Sequence, residues 1–172
     1  MRESIGGSML LNLVIIFAGL VIVFFIGILS YSKAYRVKNR IIEIIEKYDT
    51  YIKLDGPNNL NSVTQEINSD LSIAGYNTSY PSKCDSIRTN LVTGEKAKYD
   101  DSKLSQNLNT YGYNYCVFEV CNTKDSTGKC IDNAGKYYVV VTFIQFEIPV
   151  IEDVLTFPVY GETKILEKKY NY

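Results

Sequence analysis

The sequence predicts an α+β fold, a long N-terminal helix packed on a small antiparallel sheet of about three strands. Three observations carry that expectation. Residues 9–30 read MLLNLVIIFAGLVIVFFIGILS without a charged side chain, and residues 33–52 continue a helical period in amphipathic form. The C-terminal part holds three stretches dense in Val, Ile, Phe, Tyr and Thr, the residues that suit pleated surfaces.

Residues 1–8, MRESIGGS, are too short to fold alone and form a flank or a leader. Residues 9–30 follow as a transmembrane helix: at 1.5 Å per residue, a run of this length crosses the roughly 30 Å hydrocarbon core of a bilayer. A secretory signal has a shorter apolar region, about 7 to 15 residues, and a small-x-small cleavage site. Ser30-Tyr31-Ser32-Lys33 offers no such site. The segment is therefore expected to persist as an anchor, with membrane lipid as its partner. Asn12 is its one strongly polar side chain, either solvated near the headgroups or in contact with another helix.

Residues 31–52 extend the same helix, with Ala34, Val37, Ile41, Ile44, Tyr48 and Tyr51 at steps of three and four. A rod of about 40 residues, roughly 60 Å long, results. Glu43 and Lys47 take the favourable i,i+4 spacing. Val37, Ile41, Ile44 and Tyr48 are the candidate helix-packing residues, facing both the globular part and neighbouring helices. Leu54-Asp55-Gly56-Pro57-Asn58 is expected to stop the rod.

Residues 53–172 suffice for one small domain. A second helix opens at Ser62, an N-cap with Gln65 placed for a capping box. It lines one face with Val63, Ile67 and Leu71 and ends at Gly75. Residues 76–110 read as a loop-rich excursion, and strands follow over 111–121, 136–148 and 154–166. The middle strand is apolar at both alternating sets, so both its faces are expected to be covered, one by the long helix. Pro158 marks the last strand as an edge.

Charge is nearly balanced, 18 Lys and Arg against 19 Asp and Glu, so no basic field argues for nucleic acid. The absence of His removes the commonest general base and zinc ligand. Neither an enzyme, a cofactor nor a small-molecule substrate is expected. Asp100, Asp101, Asp125 and Asp132 are the only carboxylate groupings of note; they fall in turn-rich loops where solvated acids are the default, without EF-hand spacing. Tyrosines at 111, 113, 115, 137 and 138 read first as sheet-packing residues and second as an adhesive surface.

Cys84, Cys116, Cys121 and Cys130 all lie beyond the apolar run, an even number that reads as two disulfides in an oxidising compartment. A four-cysteine zinc site is the rival reading, though only Cys116 and Cys121 come near its pair spacing. Those two would stand roughly 16 Å apart in a strand, too far to bridge. Cys121 with Cys130 and Cys84 with Cys116 is the natural pairing; Cys84 with Cys121 and Cys116 with Cys130 stays open. The cysteines place the domain outside the cytoplasm. Lys33, Arg36, Lys38 and Arg40 after the run point the other way by the positive-inside rule.

A short leader ending in glycine, an apolar helix, its amphipathic continuation and a strand-rich head resemble type IV pilins and pseudopilins. More narrowly they resemble the TadE-like minor pilins of tight-adherence (Tad/Flp) systems. Three stretches carry this: residues 2–8 running into the helix, the extension to about Tyr51, and the tail VVVTFIQFEIPVIEDVLTFPVYGETKIL. About half the chain is covered, and residues 56–111 lie outside the resemblance. It implies a pilin-like fold and a structural, membrane-anchored subunit that takes part in pilus assembly or surface adhesion. Other pilin-like or pilus-assembly membrane proteins would be its partners, through the N-terminal helix. It also implies a leader cut after Gly7, making Ser8 the first residue and Asn12 the fifth. The family usually has glutamate there; Asn12 supplies a hydrogen-bond acceptor but no charge, a departure from the pattern. The alternative is a single-pass, membrane-anchored extracytoplasmic binding or sensor module outside any pilus.

Overall fold

The computed structural model describes residues 2–50, 62–76, 83–93, 97–109, 115–121, 123, 135–146 and 155–166, with 2–8, 62, 145, 146 and 155 described by backbone alone. One helix, α1 (Arg2–Tyr48), runs unbroken for 47 residues. At the α-helical rise it is about 70 Å long. The expected flank is thus part of the helix. Its C-terminal end also differs from expectation: α1 stops at Tyr48, four residues short of 52, where Asp49 takes the left-handed conformation at φ 54°. A short polar side chain tolerates that conformation, so a single aspartate ends the helix. The expected Gly-Pro stop and Tyr51 lie outside the described residues.

Helix α2 (Ser62–Ile73) follows as expected, and Val63, Ile67 and Leu71 are its buried stripe. Its end is a Schellman motif. Gly75 sits at φ 59°, its N–H donating to the Ser72 carbonyl while the Tyr76 N–H donates to the Leu71 carbonyl. Side chains of Leu71 and Tyr76 then meet in the core.

Residues 76–110 hold more structure than a loop. Helix α3 (Cys84–Val92) lies within them, burying Cys84, Ile87 and Leu91 along one face. Its apolar stripe is only those three side chains, and Lys83 at its N-terminus makes no side-chain cap, so little in the local sequence announces it. Residues 97–109 then run beside the first strand. Ser105 and Leu108 donate backbone N–H groups to the carbonyls of Glu119 and Val117, and the side-chain oxygens of Ser105 and Asn107 accept from the Glu119 and Val117 amides.

Strands β1 (Tyr115–Cys121), β2 (Lys136–Phe146) and β3 (Leu155–Glu162) form an antiparallel meander in the order β1-β2-β3. The expected third strand shortens at its end because the Thr163 hydroxyl accepts from the Tyr138 N–H in place of a backbone carbonyl; pairing resumes at Leu166 opposite Lys136. Covered by the 97–109 segment on one side, β1 leaves β3, with Pro158 in it, as the open edge among the described residues.

Alternation along the sheet divides the core. Tyr115, Val117, Tyr138 and Val140 face α1 and α2, where they meet Val37, Ile41, Ile44 and Ile67. Cys116, Phe118, Val139, Val141 and Phe143 face Cys84, Ile87 and Leu91 of α3, with Leu104 beside them. Both faces of β2 are covered, and one cover is the long helix. Each fully buried apolar side chain of this size contributes about 1.5–3 kcal/mol relative to exposure.

Candidate functional site

The two halves of α1 meet different surroundings. From Met9 to Leu29 its large apolar side chains lie mostly bare, from 45% exposed at Val23 to 75% at Phe24. The apolar part reaches a mean hydropathy of 3.1 with none of it buried in the chain. This helix is long and apolar enough to cross a membrane. Burial begins abruptly at Ala34, 1% exposed, and recurs at Val37, Ile41, Ile44 and Ile45. The candidate helix-packing residues Val37, Ile41 and Ile44 are therefore core of the head, and Tyr48 packs against that core while its hydroxyl donates to Glu66 at 2.7 Å. The stripe expected to serve both head and neighbours is consumed by the head, because α2 and the sheet close over it from two sides.

Where α1 leaves its bare half, the head is fastened to it. Ala34 offers its carbonyl to the Thr142 hydroxyl, at 3.0 Å in a buried position. Lower on β2, the Tyr76 hydroxyl accepts from the Phe143 N–H at 3.0 Å, and burial pushes its pKa up to about 12. At Gly161 the helix crosses β3 so closely that a Cβ there would fall 2.7 Å from Ile42 Cδ1 and Lys38 Cδ. Lys38 is only 7% exposed, its ammonium 4.1 Å from the centre of the Tyr35 ring, itself stacked on Tyr31.

Cations on α1 also bind α2, which runs antiparallel to it. Lys47 Nζ lies 3.0 Å from Glu66, Arg40 Nε 2.6 Å from Asp70, and Lys33 donates to the Gly75 carbonyl at the C-terminal end of α2. Lys33, Arg40 and Lys47 are spaced by seven, which puts them on one helix face. Hydrogen bonds to Asp70 and Glu43 raise the Arg40 pKa further. Hydrogen bonds from Tyr48 and Lys47 hold the Glu66 carboxyl below the usual range despite some desolvation. Three of the four basic residues after the apolar run thus have structural uses within the head; Arg36 is exposed.

Between α1 and α2, just above the bare half, opens a groove of about 580 Å³. Leu29, Val37, Ile41 and Leu71 line it, with Lys33, Arg36 and Arg40 among its polar lining and Ile73, 82% exposed, beside them. Sequence reasoning missed this groove; its only local trace was the cluster of cations after the run.

The remaining candidates are distributed as follows. Cys84 is bonded to Cys116, which excludes the pairing of Cys84 with Cys121. Cys121 is disulfide-bonded as well, and Cys130 lies outside the described residues. With these thiols oxidised, a four-cysteine zinc site is not available. Asp100 is engaged in its own turn, accepting from the Ser102 N–H and hydroxyl, and Asp101 pairs with Arg88 at 2.8 Å. Asp125 and Asp132 lie outside the described residues. Tyr115 and Tyr138 are fully buried and Tyr137 partly so, which makes them sheet-packing residues, while Tyr111 and Tyr113 lie outside the description. Gly7 and Ser8 are helical in α1, and Asn12 is exposed on its bare half. No family model matches the chain, and no curated protein or solved structure matches it.

Proposed function

We propose that this chain is a structural, membrane-anchored subunit of the TadE-like minor pilin or pseudopilin kind, with its disulfide-bonded head outside the cytoplasm, acting in pilus assembly or surface adhesion. The observation that carries this reading is the division of α1: one continuous helix is apolar and mostly bare from Met9 to Leu29 and forms a wall of the head from Ala34 on. That is how a subunit offers a helix to other helices in a bilayer while its head stays folded. The Cys84–Cys116 bond favours an oxidising compartment for the head, and the intramolecular use of Lys33, Lys38 and Arg40 gives the basic flank a purpose other than topology.

The test combines topology and contact. Whole cells are treated with a maleimide-PEG reagent with and without reductant; a gel shift that requires reductant but not lysis supports an outward, oxidised head. Labelling only after lysis, and without reductant, counts against it. A photo-crosslinking residue at Leu13 or Ile16 then reports the neighbour of the bare half: adducts with pilus subunits are expected. Asn12, and the loss of the Val37–Ile41–Ile44 stripe to the head, favour the second reading, an anchored binding or sensor module. That reading predicts no adduct to any pilus component.

A further inference from the structure

The groove between α1 and α2 has chemistry that neither a packed core nor a solvated surface requires. Its lower wall includes Leu29, which belongs to the apolar run itself, so the groove begins where the hydrocarbon of a bilayer would end. Ile73 stands at the same end, because Gly75 two residues on is held by Lys33. With Leu29, also exposed, Ile73 makes the apolar rim at the membrane end of the groove. Cations complete the mouth. Helical side chains lean toward the N-terminus, so those of Lys33 and Arg36 lean toward the membrane end. Among the described residues Asp70 is the one acid lining the groove, and Arg40 already neutralises it. Lys33 and Arg36 remain as net positive charge, and an ammonium that donates once to Gly75 has two further hydrogens to give.

We propose that this groove binds one anionic phospholipid from the leaflet on which the head rests. Its phosphate lies against Arg36 and Lys33, and an acyl chain enters the mouth of the groove between Leu29 and Ile73, its two exposed apolar walls. A volume of about 580 Å³ suits a ligand of that kind, within the range of roughly 300–1,000 Å³ typical of binding clefts. Bound there, the lipid fixes the height of the head above the bilayer and fills the seam between the two helices. The proposal rests on the membrane-anchored reading of α1.

The full-length protein is reconstituted in vesicles of equal phosphatidylglycerol and phosphatidylcholine, extracted in mild detergent and examined by native mass spectrometry. One retained phosphatidylglycerol is expected, with little phosphatidylcholine. Arg36→Glu reverses a charge at an exposed position and is expected to lower the retained lipid by about tenfold without moving the thermal melt of the head. Lys103→Glu makes the same change of charge on the segment that runs along β1, away from the groove, and is expected to leave retention unchanged. Equal retention of both lipids, or retention indifferent to Arg36→Glu, overturns the proposal. So does a cross-link from position 36 to a second copy of the chain in place of lipid. An alkaline carbonate wash separates the two failures: a protein that washes off overturns the anchored reading together with the proposal, whereas one that stays bound without lipid preference overturns the proposal alone.

Discussion

The two halves of α1 share a helix but not a solvent. Over the bare half, apolar side chains point in every direction and, among the described residues, none is buried by the rest of the chain. Over the second half they narrow to a stripe that meets α2 and the sheet, while the other faces carry Lys, Arg and Glu. A helix apolar all round needs an apolar surrounding, whereas an amphipathic one needs only its own domain. The same element therefore ends in self-sufficiency and begins in dependence on a bilayer or on other helices.

Substitution can break that contrast. Ile41→Asp places an unpaired carboxylate in the core and is expected to unfold the head, and Ile41→Ala to cost about 2–5 kcal/mol. Ile16→Ala, on the bare half, should leave the melt within about 0.5 kcal/mol of the parent. Denaturant melts of the three proteins read the difference, and equal losses at 16 and 41 would erase the distinction. It follows that Ile41 is a poor probe of assembly, since its loss removes the head before any partner.

The sheet offers a second, sharper contrast. Its α1 face is closed by helices continuous with or packed along the rod, while its other face rests, among the described residues, on the nine-residue α3, Leu104 and the Cys84–Cys116 bond. Cys84→Ser with Cys116→Ser opens a loop with a separation of 32 residues. Loop-closure entropy puts that loss at about 3–4 kcal/mol. Hydrogen exchange should show α3 amides losing protection before those of α2; simultaneous loss would mean that the two faces do not act separately.

A smaller effect probes the crossing of α1 over β3. Gly161→Val sets new atoms against Ile42 and Lys38, and overpacking of this kind costs about 1–3 kcal/mol. A stability equal to the parent's would show that the long Lys38 side chain yields freely.

The smallest effect is electrostatic. Because folding lowers the Glu66 pKa, its contribution to stability is complete above the unfolded value near 4.5 and disappears as pH falls through the lower folded value. Melts of the parent between pH 6 and about pH 3 should therefore fall more steeply than those of Glu66→Gln, with the two converging at the acid end. Parallel curves would remove the α1–α2 seam from the account.

Much of this architecture was legible along the chain. The apolar run, the Val63–Ile67–Leu71 face, the stop at Gly75 and the doubly apolar β2 all follow from periodicities of three to four and of two, which any short window displays. Helix α3 was not legible, since Cys84, Ile87 and Leu91 are too few to distinguish a helix from a loop until a disulfide and Phe118 supply the other side. Lys33, Arg36, Lys38 and Arg40 looked alike as a basic flank; in the fold one meets a carbonyl, one a carboxylate and one a tyrosine ring, and Arg36 is left exposed beside a groove.

By itself the sequence determined a long helix with a membrane-length apolar half, a strand-rich head and enough cysteines to cross-link it, because these depend on residue type and spacing within a few turns. Only the tertiary structure decided that the Val37–Ile41–Ile44 stripe is spent inside the head, that Cys84 bonds to Cys116, and that Arg40 and Lys47 answer acids on α2. Each of those choices turns on distances between residues far apart in the chain, and such distances exist only once the helices and the sheet have closed on one another.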